Sequence, residues 1–483
     1  VKTLKERTFR ALIWDLSGSL SGQGISLVIS IFLARLLEPA EFGLVGMALV
    51  FVTIFTVFSD FGLSSALVQN KDNSNLTYSS VFFLNIGLGV GLCIAFQLAA
   101  PLIATFFDYK EITPVVRWLS LGFVFSSFNA VQRTILKREI EFKTLAIRNL
   151  ISQLISGTAG IIMAFKGFGV YSLVVQNLGA YVINSIILWK VSNWHPKWEF
   201  SFKEIRNLVG FSNYVFLSQV LNQTMLRLDV FVIGKLFSSA TLGYFSRADS
   251  LNSIVRRYSS STISSVFYPV LATLTNNRGK FSAVFLKLLH FISFFSLLLT
   301  GVMIFAGRDL ILILFGPKWE PSVMIFQILA LKAFTNPINS LIIVGYLALG
   351  KSKLNFWFGN VRKILSISTI AVAYFYGFQA FVISLIVVAY ASSIFNYIIS
   401  PKYLGLNHSE LFASLIPYLM NFLISFAMTY VTYITIDQFS LLGFIQAVTF
   451  LLIYLFLSYI FKLSGFYFAK ENIQFLWGRL KTL

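Results

Sequence analysis

Apolar residues run along this chain in long blocks rather than in alternation, and short polar breaks between the blocks hold most of the Lys and Arg. Many blocks exceed the ~20 residues that an α-helix needs to cross a hydrocarbon core. Continuous runs of this length exclude a membrane β-barrel, whose strands alternate apolar and polar residues in short segments. The pattern predicts fourteen helical spans, at 11–37, 42–69, 78–107, 113–136, 143–165, 169–191, 208–236, 241–272, 281–306, 321–349, 354–375, 377–400, 411–435 and 439–462. The expected class is an all-α integral membrane protein. Every connection is short, so no extramembrane domain fits between spans. The longest polar stretch, 192–206, carries Trp194, His195, Pro196 and Trp198 and reads as an interfacial linker.

Composition sharpens this picture. Hydrophobic residues make up 57% of the 483 positions and charged residues 12%, where a soluble domain carries about a quarter charged. Mean hydropathy is +0.78. The first ten residues are basic and polar and lead into an apolar block too long for a signal-peptide core, so an uncleaved first span is expected. The one cysteine, Cys93, lies in an apolar block, which rules out a disulfide within the chain.

The formal net charge of +19 is mostly topology. With the N-terminus cytoplasmic, 26 Lys and Arg fall in inner segments and 7 in outer ones, the asymmetry of the positive-inside rule. This predicts a multi-pass protein of the bacterial inner membrane with both termini cytoplasmic. It removes nucleic acid as an expected partner.

The chain also repeats itself at an offset of about 200. Gln23 matches Gln223, and Ala34-Arg35-Leu36-Leu37 with Phe42-Gly43 matches Gly234-Lys235-Leu236-Phe237 with Leu242-Gly243. Later the offset becomes 210: Asn129 matches Asn339, Lys143 matches Lys353, and Gly167-Phe168 matches Gly377-Phe378. Spans one to six and seven to twelve thus read as two pseudo-symmetric six-helix lobes in parallel orientation. The expected division is 1–192 for the first lobe, 193–207 for the linker, 208–405 for the second lobe, and 406–483 for helices thirteen and fourteen with a cytoplasmic tail.

Candidate chemistry sits where polar residues enter spans. Ser19, Gln23, Ser26 and Ser30 form a helical stripe on span one; Gln219, Gln223 and Arg227 form one on span seven. Span eight carries Arg247, Asp249, Arg256, Arg257 and many Ser, and cannot face lipid all round, because a charge at the bilayer centre costs at least ~2.5–3.5 kcal/mol. Lys332 lies on span ten. An interior richer in cations than anions suits an anionic substrate, and arginine can grip adjacent phosphate oxygens in bidentate fashion. The alternative is that these charges pair and lock helices together. Asp60, Asp229 and Asp249 are candidates for a coupling Na⁺ or H⁺, or for ion pairs with those arginines. Gly345 to Ser352 fits the phosphate-loop pattern, but it ends an apolar span instead of joining a strand to a helix, so it reads as chance. His195, His290 and His408 lack metal-ligand spacing. No nucleophile motif is present, no cofactor is implied beyond a coupling ion, and no enzyme activity is expected.

Four segments carry a family resemblance: Ala34-Arg-Leu-Leu-Glu-Pro-Ala-Glu-Phe-Gly-Leu-Val-Gly-Met-Ala48, Phe58-Ser-Asp-Phe-Gly-Leu-Ser-Ser-Ala-Leu-Val-Gln69, Leu242-Gly-Tyr-Phe-Ser-Arg-Ala248 and Phe315-Gly-Pro-Lys-Trp319. With them the chain resembles the polysaccharide-exporter branch of the multidrug/oligosaccharidyl-lipid/polysaccharide (MOP) flippase superfamily, which includes Wzx-type O-antigen flippases and colanic acid exporters. The resemblance implies two six-helix lobes around a V-shaped cavity. It also implies flipping of an undecaprenyl-pyrophosphate-linked oligosaccharide by alternating access, with a cationic cavity at Arg227, Arg247, Arg256 and Arg257. Implied partners are the lipid-linked oligosaccharide, membrane lipids, and a polysaccharide polymerase with its export machinery. The competing readings are a membrane-embedded polysaccharide polymerase or ligase, a lipid II flippase, and a cation-coupled drug exporter.

Overall fold

A computed structural model describes residues 4–70, 73–435 and 442–480. The chain runs α1 (Leu4–Leu36), α2 (Pro39–Thr56), α3 (Leu63–Gln69), α4 (Asn75–Phe107), α5 (Ile112–Arg138), α6 (Phe142–Phe165), α7 (Val170–Val191), α8 (Phe202–Leu236) and α9 (Ser239–Thr262). A π-helical stretch, Ile263–Phe267, joins α9 to α10 (Tyr268–Thr273). Beyond it come α11 (Arg278–Phe315), α12 (Pro321–Ala333), α13 (Thr335–Ala348), α14 (Ser352–Leu404), α15 (His408–Ala413), α16 (Ile416–Thr435), α17 (Leu442–Ile460) and α18 (Ser464–Leu480). Among the described residues no strand occurs.

Helix occupies every predicted span, but ten stretches among the described residues, not fourteen, are long and apolar enough to cross a membrane. Two causes account for the difference. α14 is a single 53-residue element in which Gly377, at φ 82°, turns the chain between predicted spans eleven and twelve. And α5, α8 and α9 carry too many polar side chains to qualify on hydropathy, so their polar faces need something other than lipid beside them.

Three further features depart from the expected course. Predicted span two is not continuous: α2 ends at Thr56, and Gly62 at φ 73° restarts the chain as α3. Only glycine fits there, since a Cβ would meet the Ser212 carbonyl. Asp60 caps the restart, accepting from the Ser64 amide at 3.2 Å and hydroxyl at 2.6 Å. The matching place in span eight holds the π-helical stretch. The third departure is α18, a helix within the expected tail. Its Phe468 ring lies 4.5 Å from the Lys287 ammonium on α11.

The chain divides into two compact units, 1–246 and 247–483. In the first, α1 turns Gly22, Ile29 and Leu33 toward the helices beside it, and Gly157 on α6 admits the Ile29 side chain. Small residues at such crossings let helix backbones approach closely where no hydrophobic gradient drives them together. The unit runs beyond the expected linker because α8 packs on α2, α3 and α4. In the second unit α11 is the hub, with Phe281, Phe285, Phe294 and Trp319 in its core. α17 is fastened to it, and α16 to α17, by hydrogen bonds that a membrane interior favours: Tyr454 of α17 donates to the Phe294 carbonyl of α11 at 3.2 Å, and Asn421 of α16 to Ser458 Oγ of α17 at 2.8 Å. The Asp309 carboxylate accepts from the Phe444 amide at 3.0 Å, capping the start of α17.

The repeat is visible in matched interactions. Asn129 donates to Ser185 Oγ at 2.8 Å in the first unit, and Asn339 donates to Ser393 Oγ at 2.8 Å in the second. Gly167 and Gly377 share the left-handed region, at φ 79° and 82°. Where α2 and α9 begin, the contact is reciprocal: a Cβ on Gly43 would collide with the Ser239 carbonyl, and one on Gly243 with the Pro39 carbonyl. Beside this seam Lys235 binds Asp108 at 3.0 Å and Tyr109 accepts from the Ser239 amide at 3.0 Å.

Candidate functional site: a polar cavity in the first unit

The surface of α1 is divided. Its buried face is Gly22, Ile29 and Leu33, and its exposed apolar stripe is Leu16, Leu20, Val28 and Phe32. At 100° per residue the stripe Ser19, Gln23, Ser26 and Ser30 falls between the two. Ser26 opens onto a cavity of about 240 Å³ shared with α6 and α7. α7 supplies Gln176, Asn177, Tyr181 and Asn184, spaced so that they share one face, and α6 supplies Gln153 and Ser156. No lining residue carries a charge. Among the described residues the side-chain oxygens of Gln153 and Asn184 have no hydrogen-bond partner, whereas Asn177 Nδ2 donates to the Leu173 carbonyl at 2.8 Å.

Cations act on one lining residue of this cavity. The Tyr181 hydroxyl lies within electrostatic reach of Arg133 on α5 and Arg227 on α8. Arg133 also acts on Lys137, as does Arg148, and the carboxylates of Asp60 and Asp15 act on Lys137 from the opposite sign. Arg148 is only 8% exposed, and its Nη2 donates to Asn149 Oδ1 at 2.7 Å. The charge asymmetry alone assigns Arg133, Lys137 and Arg148 to connections. Here all three stand on helices, Arg148 buried and Arg133 and Lys137 exposed. A signal for the amide face is present in span six, where Gln176, Asn177, Tyr181 and Asn184 recur at helical spacing.

The remaining predicted residues disperse. In the first unit Gln23, Gln223, Arg227 and Asp229 are half-buried and Gln219 is exposed. Asp60 spends its oxygens on Ser64 and on Asn85, whose Nδ2 donates at 3.4 Å. In the second unit Arg247 is half-buried, and Asp249 and Lys332 meet with Asn252 and Asn336 around a cavity of about 10 Å³. That is room for about one water molecule. The side chains of Arg256 and Arg257 lie outside the described residues. The apparent phosphate loop is absent as such: Gly345 is inside α13, and Lys351 donates to the Tyr403 carbonyl at 2.7 Å. Burial, and then the nearby Arg278, holds the Lys351 ammonium below the usual lysine range.

The second unit holds a larger and different cavity, about 450 Å³, lined by Phe267, Phe291, Phe295, Leu299, Val302 and Leu451 among others. Ser296 is its one polar side chain.

Known proteins resemble the chain in sequence and in fold. A family model described as "Polysaccharide biosynthesis protein" matches residues 32–324. The chain is similar to the lipopolysaccharide biosynthesis protein WzxC of Escherichia coli K12, 23% identical over 77% of this chain and 76% of that one. It is similar to the succinoglycan biosynthesis transport protein ExoT of Rhizobium meliloti, 25% identical over 74% and 72%. It is similar, too, to the teichuronic acid biosynthesis protein TuaB of Bacillus subtilis, 25% identical over 66% and 67%. Among solved structures, the lipid II flippase MurJ in an inward closed conformation superposes with a TM-score of 0.75 over 93% of this chain and 98% of that chain, at 18% identity. An inward-facing MATE transporter of the MOP superfamily gives 0.62 over 81% and 98%, at 14% identity.

Proposed function

Since the chain belongs to the polysaccharide biosynthesis protein family, within the polysaccharide-exporter branch of the MOP flippase superfamily, we propose that it flips a lipid-linked oligosaccharide across the bacterial inner membrane. The observation that carries this reading is the match to polysaccharide biosynthesis proteins, one of them a transport protein, over about three quarters of their length, together with a fold shared with a lipid II flippase over 93% of the chain. The chemistry of the two cavities supports it. A lipid-linked sugar has a polyhydroxylated head, an anionic phosphate link and a long hydrocarbon tail. The first unit offers a neutral hydrogen-bonding cavity whose Tyr181 lies within electrostatic reach of Arg133 and Arg227, and the second an apolar cavity.

In this reading both termini are cytoplasmic, and Arg133, Lys137 and Arg148 lie toward the side on which the substrate is made. They draw the pyrophosphate out of water by supplying fixed positive charge in place of hydration. A gradient of Na⁺ or H⁺ drives the cycle, with Asp229 and Asp249 as the candidate coupling carboxylates, because Asp60 is committed to its helix cap. A polysaccharide polymerase takes the flipped product. Depletion of the protein in its host tests the proposal. Lipid-linked oligosaccharide should then accumulate on the inner leaflet, protected from periodate added to intact spheroplasts. Unchanged periodate sensitivity in depleted cells would overturn it.

A further inference from the structure

The cavity between α1, α6 and α7 has a composition that selects among ligands. Gln153, Gln176, Asn177 and Asn184 each combine an acceptor oxygen with two donor hydrogens, and Ser26 and Tyr181 each donate and accept. An ion is disfavoured here, since no lining group offers a countercharge. A hydrocarbon is disfavoured as well, because the polar groups it covered would each cost about 1–3 kcal/mol unpaired. What suits the cavity is an uncharged group that donates and accepts along its whole edge. A pyranose ring does so through its hydroxyls, and its flat C–H face packs on an aromatic ring such as Tyr181. At about 240 Å³ the cavity is smaller than the ~300–1,000 Å³ of sites for drug-sized ligands, so it holds one ring and not a chain.

Two more observations point the same way. The side-chain oxygens of Gln153 and Asn184 lack partners among the described residues, though both residues are at least partly buried. Hydroxyl donors of a bound sugar would complete them. And the Tyr181 side chain, part of the cavity lining, lies within electrostatic reach of both Arg133 and Arg227. Neutral amides within reach of two cations match a sugar whose anomeric carbon carries a phosphate.

We propose that this cavity is a binding subsite for the first sugar of the lipid-linked substrate, the one joined to pyrophosphate, and that Gln153, Gln176, Asn177 and Asn184 read its hydroxyls. The assignment rests on the flippase reading and adds to it a place and a chemistry for sugar recognition. The subsite holds one ring, whatever the length of the glycan beyond it.

The test uses the full-length protein in nanodiscs and two synthetic probes, farnesyl pyrophosphate and farnesyl-pyrophosphoryl-glucose. Wild type should bind the sugar-bearing probe about tenfold more tightly than the sugarless one. The near-isosteric Gln176→Leu and Asn184→Leu variants should lose most of that ratio while keeping wild-type affinity for farnesyl pyrophosphate, which also reports that they are folded. Gln176→Asn should restore part of it. Equal binding of the two probes by wild type, or an unchanged ratio in both leucine variants, would overturn the subsite and leave the flippase reading standing. Failure of wild type to bind either probe would count against the flippase reading itself, and the subsite would fall with it.

Discussion

The two units have grown opposite interiors from one plan. Asn129 and Asn339 make the same hydrogen bond to a serine on a later helix, and Gly167 and Gly377 both take a positive φ. Yet the first unit opens a cavity of amides and hydroxyls, and the second a cavity of Phe, Leu and Val. The shared elements are those that set helix spacing and chain direction. The divergent ones are the side chains lining the spaces left over. A duplicated bundle can therefore line two cavities with opposite chemistry without a change of scaffold.

Exchanging the character of a cavity should break this contrast. Asn184→Asp keeps the shape of the polar cavity but places a carboxylate beside the phosphate of the substrate. Two like charges about 4 Å apart repel by ~4 kcal/mol at an effective dielectric of about 20. Affinity for farnesyl pyrophosphate should fall at least a hundredfold in a titration at neutral pH. Undiminished affinity would mean that the phosphate does not lie at this edge.

A smaller and length-dependent effect is expected in the other unit. Leu299→Trp fills part of the apolar cavity from its rim, where Leu299 is 40% exposed. Geranylgeranyl pyrophosphate should lose about tenfold in affinity, since each buried CH₂ contributes ~0.8 kcal/mol. Isopentenyl pyrophosphate should be unaffected. An equal loss for both probes would show that the apolar cavity does not hold the tail.

The smallest effect sharpens what the units share. Asn129→Ala and Asn339→Ala each remove one buried hydrogen bond of 2.8 Å, so each should destabilise the protein by about 1–2 kcal/mol. Thermal unfolding in one detergent should give closely similar shifts. A shift in one variant only would mean that the bond matters in a single copy.

Particular residues show what is legible in the sequence. The repeat can be read because Asn129, Gly167 and Gly43 are fixed by backbone geometry or by a buried bond, so their spacing survives duplication. The break after Thr56 cannot be read, because Phe55 to Leu67 is apolar enough to pass for one helix, and Gly62 is one glycine among 30. Charge draws attention to Arg227 and Arg257, whereas the amides of α7 carry no charge and dilute into an apolar span. Arg148 is hidden by the same rule that orients the chain, since a basic residue near a helix end satisfies the topology before its burial is known. Asp60 looks like a membrane carboxylate and proves to be a cap, which depends on a turn that hydropathy does not register.

The reciprocal seam at Gly43 and Gly243 has a consequence for how such a machine can be adjusted. Glycine Cα atoms and peptide carbonyls meet there, with no side chain between them. A joint made only of main chain has no group to protonate, phosphorylate or retune by a conservative exchange. Substitution can wedge it apart but cannot draw it tighter. Inherited variation that retunes this joint must therefore accumulate around the seam, at places such as the Lys235–Asp108 pair, and leave the two glycines alone.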